Sequence, residues 1–280
     1  MLEPRKKKEL NMKKIGLILI LAASLSTFAF GAKKSKAAKE KVVIVGTEGA
    51  YPPYNFVNKK GEADGYDIDV IKAIDERIPG ITFKFEPTAW DGIFVALESG
   101  KFDIIASQIS WNAEREKKYL FPKEPYFYGF SVIAFKKGRT DIKNTKDLWG
   151  KTVAAGVGTY NTTWLEEYNK KNGNPVKIQY TDGNAALFFK DIADGRVDAT
   201  LTDPITTDNF AKENKLPLEW VVLDEQDTAP AYFLFANNKN GEKYRELIEK
   251  ALEEIKADGT LSKISIKWFG KDYSVPPKKD

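Results

Sequence analysis

Short apolar runs and amphipathic stretches alternate along most of this chain, and they do so twice in the same order. Val42-Val-Ile-Val-Gly-Thr reads as a buried strand and Phe83-Lys-Phe-Glu-Pro as a second. Ser99-Gly-Lys-Phe-Asp then leads into a third over Phe102–Ser107. The second copy runs Thr152-Val-Ala-Ala-Gly-Val-Gly-Thr, then Lys177-Ile-Gln-Tyr-Thr-Asp, then Asp194-Gly-Arg-Val-Asp into Ala199-Thr-Leu-Thr-Asp. Helical periodicity predicts Tyr66–Ile78, Trp90–Ser99 and a short Ala113–Tyr119 in the first copy. It predicts a short start at Asp147–Leu148, then Thr162–Lys171, Asn184–Ala193 and Ile205–Glu213 in the second, and Lys243–Asp258 and Leu261–Trp268 at the end. This order predicts an α/β fold of two similar lobes. Open α/β sheets bind ligands at the carboxyl ends of their strands, so the polar residues there predict a ligand in the cleft between the lobes. Ordinary α/β repetition, with no shared cleft, would spell the same pattern.

The Pro- and aromatic-rich segment Phe121-Pro-Lys-Glu-Pro-Tyr-Phe-Tyr-Gly-Phe takes the chain out of the first lobe, and the strand Tyr232–Ala236 brings it back. The expected division is 42–127 plus 232–280 for lobe one and 128–231 for lobe two. Crossings near 126–130 and 228–232 would form a hinge able to close on a ligand.

The start of the chain reads differently. Lys13-Lys14 precede the apolar run Ile15-Gly-Leu-Ile-Leu-Ile-Leu-Ala-Ala, and small residues follow to Gly31-Ala32. This is the layout of a cleavable signal peptide over 1–31, with cleavage after Ala29 or Gly31. Its core of about 16 residues is short of the roughly 20 that span a bilayer. Met12 is a better start than Met1, which makes 1–11 an extension of the gene model. Residues 32–41, rich in Lys and Ala, read as a flexible leader. The expected location is therefore periplasmic, without the lipid anchor that a lipobox cysteine would provide.

Composition narrows the chemistry. The 280 residues contain no cysteine and no histidine, which removes thiol nucleophiles, Ser-His-Asp triads, disulfides and imidazole or thiolate metal sites. No cofactor or metal is expected. The 44 Lys/Arg and 40 Asp/Glu give +4, but residues 1–31 hold six of the bases and two of the acids, leaving 38 of each. A neutral folded part gives no support to nucleic-acid binding, and a monomer is expected.

Ser107-Gln108-Ile109-Ser110 follows a buried strand, with Arg115 at the next helical start. Hydroxyls and free N–H groups there suit an anion, and a guanidinium can hold a carboxylate in a fork. Arg115 paired with Glu114 or Glu116 on a solvated face is the plainer alternative. Gly158-Thr159-Tyr160 offers a second donor set. Asp203, after a strand and before Pro204, could accept from an ammonium or simply cap the next helix. Together Arg115, the hydroxyls and Asp203 complement both ends of an α-amino acid. Tyr51, Tyr54, Phe56 and Trp90 supply aromatic surface, with Phe56 expected in the core, and Glu48 lies where it could face a polar side chain.

Several segments resemble the family 3 extracellular solute-binding proteins, the periplasmic amino-acid receptors of ABC importers. They are Gly46-Thr-Glu-Gly-Ala-Tyr-Pro-Pro-Tyr-Asn-Phe, Gly65-Tyr-Asp-Ile-Asp, Trp90-Asp-Gly-Ile, Gly100-Lys-Phe-Asp, Ser107-Gln-Ile-Ser through Arg115, Pro125-Tyr126, Gly158-Thr-Tyr, Val197-Asp-Ala-Thr-Leu-Thr-Asp203, and Ala257-Asp-Gly-Thr-Leu through Trp268-Phe-Gly-Lys-Asp. The resemblance spans about residues 41–275 and implies the type II periplasmic-binding-protein fold, two hinged lobes closing on one L-amino acid that is passed to a membrane permease. It implies carboxylate binding by Arg115, Ser110 and Thr159 and ammonium binding by Asp203. Tyr51 and Trp90 become the pocket walls, and Glu48, Gln108 and Tyr160 the side-chain contacts. Gly-Thr-Glu-Gly-x-Tyr, Trp-Asp-Gly, the Gln of Ser-Gln-Ile-Ser and the ending Phe269-Gly-Lys-Asp-Tyr-Ser-Val look most like the cystine/cysteine branch. Trp111-Asn112-Ala113 and the bulk of Tyr160 depart from that pattern, which leaves another polar or cationic amino acid as the alternative.

A dehydratase-type enzyme on the same fold is the reading from a different class. It would need an acid or base aimed at a reacting bond, whereas Arg115 and Asp203 are occupied with a substrate's ends. The sensor domain of a membrane receptor is disfavoured because no second apolar span follows.

Overall fold

The computed structural model describes residues 41–224 and 228–276. The export segment expected over 1–31 and, apart from Lys41, the leader lie outside the described residues. The first part of the chain forms strands β1 (Lys41–Thr47), β2 (Ala50–Tyr51), β3 (Asn55–Val57), β4 (Ala63–Asp64), β5 (Ile81–Pro87), β6 (Ile104–Ser110), β7 (Tyr119–Leu120) and β8 (Phe127–Phe130). Its helices are α1 (Tyr66–Asp75), α2 (Trp90–Glu98) and α3 (Ala113–Lys118). Then follow β9 (Val132–Lys136), a 3-10 turn (Thr145–Leu148), β10 (Thr152–Gly156), α4 (Tyr160–Lys171), β11 (Lys177–Thr181), α5 (Ala185–Asp194), β12 (Ala199–Thr202), α6 (Pro204–Asn214) and β13 (Leu218–Val222). The chain returns through β14 (Thr228–Ala236), α7 (Lys239–Ala257) and α8 (Thr260–Phe269).

Two mixed sheets result. The first has the order β5-β1-β6-β14-β7, with β8 also on β14; the second has the order β11-β10-β12-β9-β13. The sequence repeat is a repeat of topology. β1 lies parallel between β5 and β6, and β10 lies parallel between β11 and β12. Central strands of a parallel sheet are covered on both faces, so they read as continuous apolar runs; Val43, Val45 and Val153 are fully buried.

The Gly-basic-x-Asp motif has a structural task in each lobe. After helices α2 and α5, Gly100 and Gly195 take left-handed backbone, φ 75 and 76, which ends the helix without a Cβ penalty. The aspartate then locks the neighbouring strand: the Asp103 carboxylate accepts from the Ile44 N–H, and that of Asp198 from the Thr152 N–H, both at 2.8 Å.

Between the lobes run two extended segments that pair with each other. Thr228, Ala229, Pro230 and Ala231 of β14 lie antiparallel to Phe130, Gly129, Tyr128 and Phe127 of β8. β14 continues into the first sheet against β6 and β7, so one strand is both crossing and sheet member.

Some expectations shift. The helix expected over Lys243–Asp258 begins at Lys239, because the Asn238 side chain caps it by accepting from the Asn240 and Gly241 N–H groups. The first helix stops at Asp75 rather than Ile78. Phe56 is not core: it is half-buried, edge-on to Trp268, while neighbouring Tyr54 and Asn55 are the buried residues.

Candidate functional site

A cavity of about 150 Å³ opens between the lobes, lined from the first by Glu48, Tyr51, Tyr54, Trp90, Gln108, Ser110 and Arg115, and from the second by Thr159, Tyr160, Asn161, Gly183 and Asp203. All nine candidate side chains therefore reach one place. They do so because β6, β10 and β12 all end there, as strand ends in an open α/β sheet should.

One end of the cavity is cationic. Arg115 sits in the first turn of α3, whose cap is the Asn112 side chain accepting from the Arg115 N–H at 2.7 Å. Its guanidinium is not paired with Glu114 or Glu116; it is buried and turned inward. It donates to the Ser110 carbonyl at 2.7 Å and, across the cleft, to the Gly158 carbonyl at 2.8 Å. The rings of Phe94 and Trp90 lie 5.1 and 5.7 Å from its Cζ. Burial lowers its pKa to about 10, still far above neutrality, so it presents a full charge to whatever enters. Opposite lies the N-terminus of α4, whose Tyr160 and Asn161 line the same space. The helix dipole there favours an anion. The Thr159 hydroxyl, however, is engaged as the cap of α4: it accepts from the Thr162 N–H and donates to the Thr162 hydroxyl.

The other end is anionic. Asp203 is the cap of α6, with Pro204 at the first helical position. The same carboxylate lines the cavity, so capping the helix does not take Asp203 out of the site. Oδ1 accepts from the Thr206 N–H at 2.8 Å and from the Tyr54 hydroxyl at 2.9 Å. Oδ2 accepts from the Thr206 hydroxyl at 2.7 Å and from the Tyr51 hydroxyl at 2.6 Å. Four donors fill a carboxylate's acceptor capacity. Burial raises the pKa of both phenols, with Asp203 adding to the effect, which keeps them as donors.

The walls complete the enclosure. Trp90 Nε1 donates to the Val157 carbonyl of the opposite lobe at 3.0 Å, and its ring lies against Gly183. The carboxyl group of Glu48 faces the cavity; burial, with Asp182 adding a smaller effect, raises its pKa to about 7. Gln108 has left-handed backbone, φ 50, and its side chain turns under the cavity to the Asp67 carboxylate at 2.6 Å.

That last contact belongs to a network absent from the sequence analysis. Asp67 is fully buried and also accepts from Asn55 at 2.8 Å and from the Tyr126 hydroxyl at 3.0 Å. Burial raises its pKa to about 7 although three donors oppose the shift. The network ties α1, β3 and the start of the first crossing to the floor of the site. The signal was present: Asp67 stands among Tyr66, Ile68, Val70 and Ile71 on the buried side of α1. Tyr54, expected as aromatic surface, belongs to the lining, and so does Asn161, whose side chain accepts from Ser131 at 2.8 Å and which the sequence did not single out.

The profile of the bacterial extracellular solute-binding proteins, family 3, matches residues 43–271. The L-cystine-binding protein TcyJ of Bacillus subtilis is 34% identical over 264 residues, covering 94% of this chain and 97% of that protein. A putative L-cystine ABC transporter structure from Listeria monocytogenes superimposes with a TM-score of 0.77 at 33% identity, covering 84% of this chain and 98% of that one. A structure from work on glutathione import via GshT and the cystine ABC importer TcyBC of Streptococcus mutans does so with a TM-score of 0.78 at 30% identity, covering 84% and 97%. With a profile match over nearly all the described residues, and two repeated lobes meeting at one cavity, the chain belongs to the family 3 bacterial extracellular solute-binding proteins.

Proposed function

We propose that the protein is a periplasmic receptor that closes on an L-amino acid, L-cystine or cysteine in the first instance, and delivers it to the permease of an ABC importer. The observation that carries this reading is the placement of Arg115 and Asp203, each fixed by its own helix cap, at opposite ends of one inter-lobe cavity. In this reading Arg115, Ser110 and the N-terminus of α4 at Thr159 hold the ligand carboxylate. Asp203 takes the ammonium in exchange for the Tyr51 hydroxyl, and Tyr51 and Trp90 flank the stem. The contacts that Arg115 and Trp90 make to the far lobe support closure as the productive state, since a ligand shifts such an equilibrium only through its preference for one form. The identity of relatives named as L-cystine-binding supports the choice of ligand. In this reading the protein binds without chemistry, with Arg115 and Asp203 serving the ligand's two ends and Glu48 facing its side chain, and acts as a monomer.

Thermal unfolding of protein stripped of carried ligand by unfolding and refolding, against the twenty amino acids and L-cystine, tests this. A ligand at about a hundred times its Kd stabilises the native state by about 2.7 kcal/mol. Stabilisation by L-cystine or cysteine supports the proposal; stabilisation by no amino acid contradicts it.

A further inference from the structure

Outside Trp90 lies a second hollow. It has a volume of about 530 Å³ and is lined by Trp90, Asp91 and Phe94 of one lobe and Val157, Gly158, Tyr180, Thr181 and Asp182 of the other. It adjoins the inner cavity: Trp90 lines both, and Gly158 and Asp182 are chain neighbours of the inner-cavity residues Thr159 and Gly183. Charge is felt from one to the other, since Asp182 contributes to the raised pKa of Glu48. Two further features set the hollow apart from ordinary surface. Val157 and Tyr180 are 60% and 54% exposed, which puts apolar side chains in solvent at the mouth of a ligand cleft. Its charged lining is wholly acidic, with Asp91 from α2 and Asp182 from the turn after β11 on opposite sides.

The inner cavity is small. At about 150 Å³ it matches a space that takes a benzene-sized guest, enough for an amino-acid head and a short side chain. A disulfide of two amino acids is longer than that. We propose that this outer hollow is a second subsite, holding the distal half of a disulfide whose first half is anchored in the inner cavity, and that it selects a distal group bearing an ammonium. The inference rests on the amino-acid reading of the inner site. Trp90, Phe94 and Tyr180 provide the faces against which an apolar stem packs, and a cation over such faces gains further attraction. Asp91 and Asp182 supply the counter-charge and repel a distal carboxylate that carries no ammonium, while Arg115, behind the Trp90 and Phe94 rings, is committed to the inner carboxylate. The ligand class widens accordingly, from symmetrical cystine to mixed disulfides of cysteine with aminothiols.

Three probes resolve the matter by calorimetry on the full chain and on Asp91→Asn, Asp182→Asn and Arg115→Ala variants. They are S-methyl-L-cysteine, which ends inside the inner cavity, the cysteine–cysteamine disulfide, and the cysteine–mercaptopropionic acid disulfide. The expected result is that the cysteamine disulfide binds wild type at least about tenfold more tightly than the acid disulfide. Either Asn variant narrows that ratio, and S-methyl-L-cysteine binds wild type and both Asn variants alike. Both aspartates are exposed, so the variants fold; a matching unfolding midpoint checks this. Equal affinity of wild type for the two disulfides, or a ratio unchanged in both variants, overturns the subsite while leaving the inner site intact. Failure of all three probes to bind wild type, or their binding undiminished in Arg115→Ala, overturns the amino-acid reading and the subsite with it.

Discussion

The Arg115 guanidinium in one lobe donates to the Gly158 carbonyl in the other at 2.8 Å, so the residue that makes one end of the cavity cationic also spans the cleft. In the proposed reading, ligand recognition and closure are joined in one side chain, and removing it leaves a buried carboxylate of the ligand without its counter-charge. Arg115→Ala is expected to weaken L-cystine binding by about 2–5 kcal/mol, roughly 30-fold to several-thousandfold. Calorimetric titration checks this.

Asp203 separates its two tasks under mutation. Asn caps helices as well as Asp does, so Asp203→Asn is expected to keep the Thr206 N–H cap. It is expected to cost about 1–3 kcal/mol, from the hydroxyl donors that lose one carboxylate oxygen, while losing affinity for any α-amino acid by at least about tenfold. Denaturant unfolding and ligand titration on the same preparation give both numbers. A variant that loses stability and keeps affinity would make the cap its principal task.

The parts of this molecule that were legible in the sequence are those set by local pattern. Apolar runs placed the central strands β1 and β10, and their shared context exposed the repeat before any pairing was known. Arg115, Ser110, Thr159 and Asp203 were legible because each stands beside a strand end or a cap, where side chains face a cleft by geometry rather than by packing. The Asp67 network was not, since Asn55, Gln108 and Tyr126 come from separate segments and only the tertiary fold joins them. β9 and β13 are antiparallel additions whose pairing depends on long returns of the chain. Phe56 was misplaced because aromatic content alone does not say which of three neighbouring residues points inward.

Asp67 makes stability depend on pH. Its pKa is raised by burial to about 7 from 3.8, so between those values the native state holds a proton that the unfolded chain has released. Stability from this group is therefore greatest at and below the unfolded pKa and falls as pH rises towards 7. Relative to Asp67→Asn, the wild type is expected to lose stability on the order of a few kcal/mol between pH 4 and pH 8. Urea unfolding of both at the two pH values measures it; a difference independent of pH would contradict the assignment.

Gly183 packs against the Trp90 ring with left-handed backbone, φ 89, and a Cβ there would lie 3.3 Å from Trp90 Cδ1. Gly183→Ala is expected to cost about 1 kcal/mol or more in stability. It should also weaken ligand binding, because the ring that lines the inner cavity must give way. Tryptophan fluorescence on ligand addition, reduced or shifted relative to wild type, reports the displacement.

Titration of the stripped protein with L-cystine, followed by calorimetry at several temperatures, tests the central claim most directly. The account predicts one site per chain, a negative heat-capacity change from apolar burial as the cleft closes, and loss of the signal in Arg115→Ala. No saturable heat with L-cystine or cysteine, or binding that survives intact in both Arg115→Ala and Asp203→Asn, would contradict it.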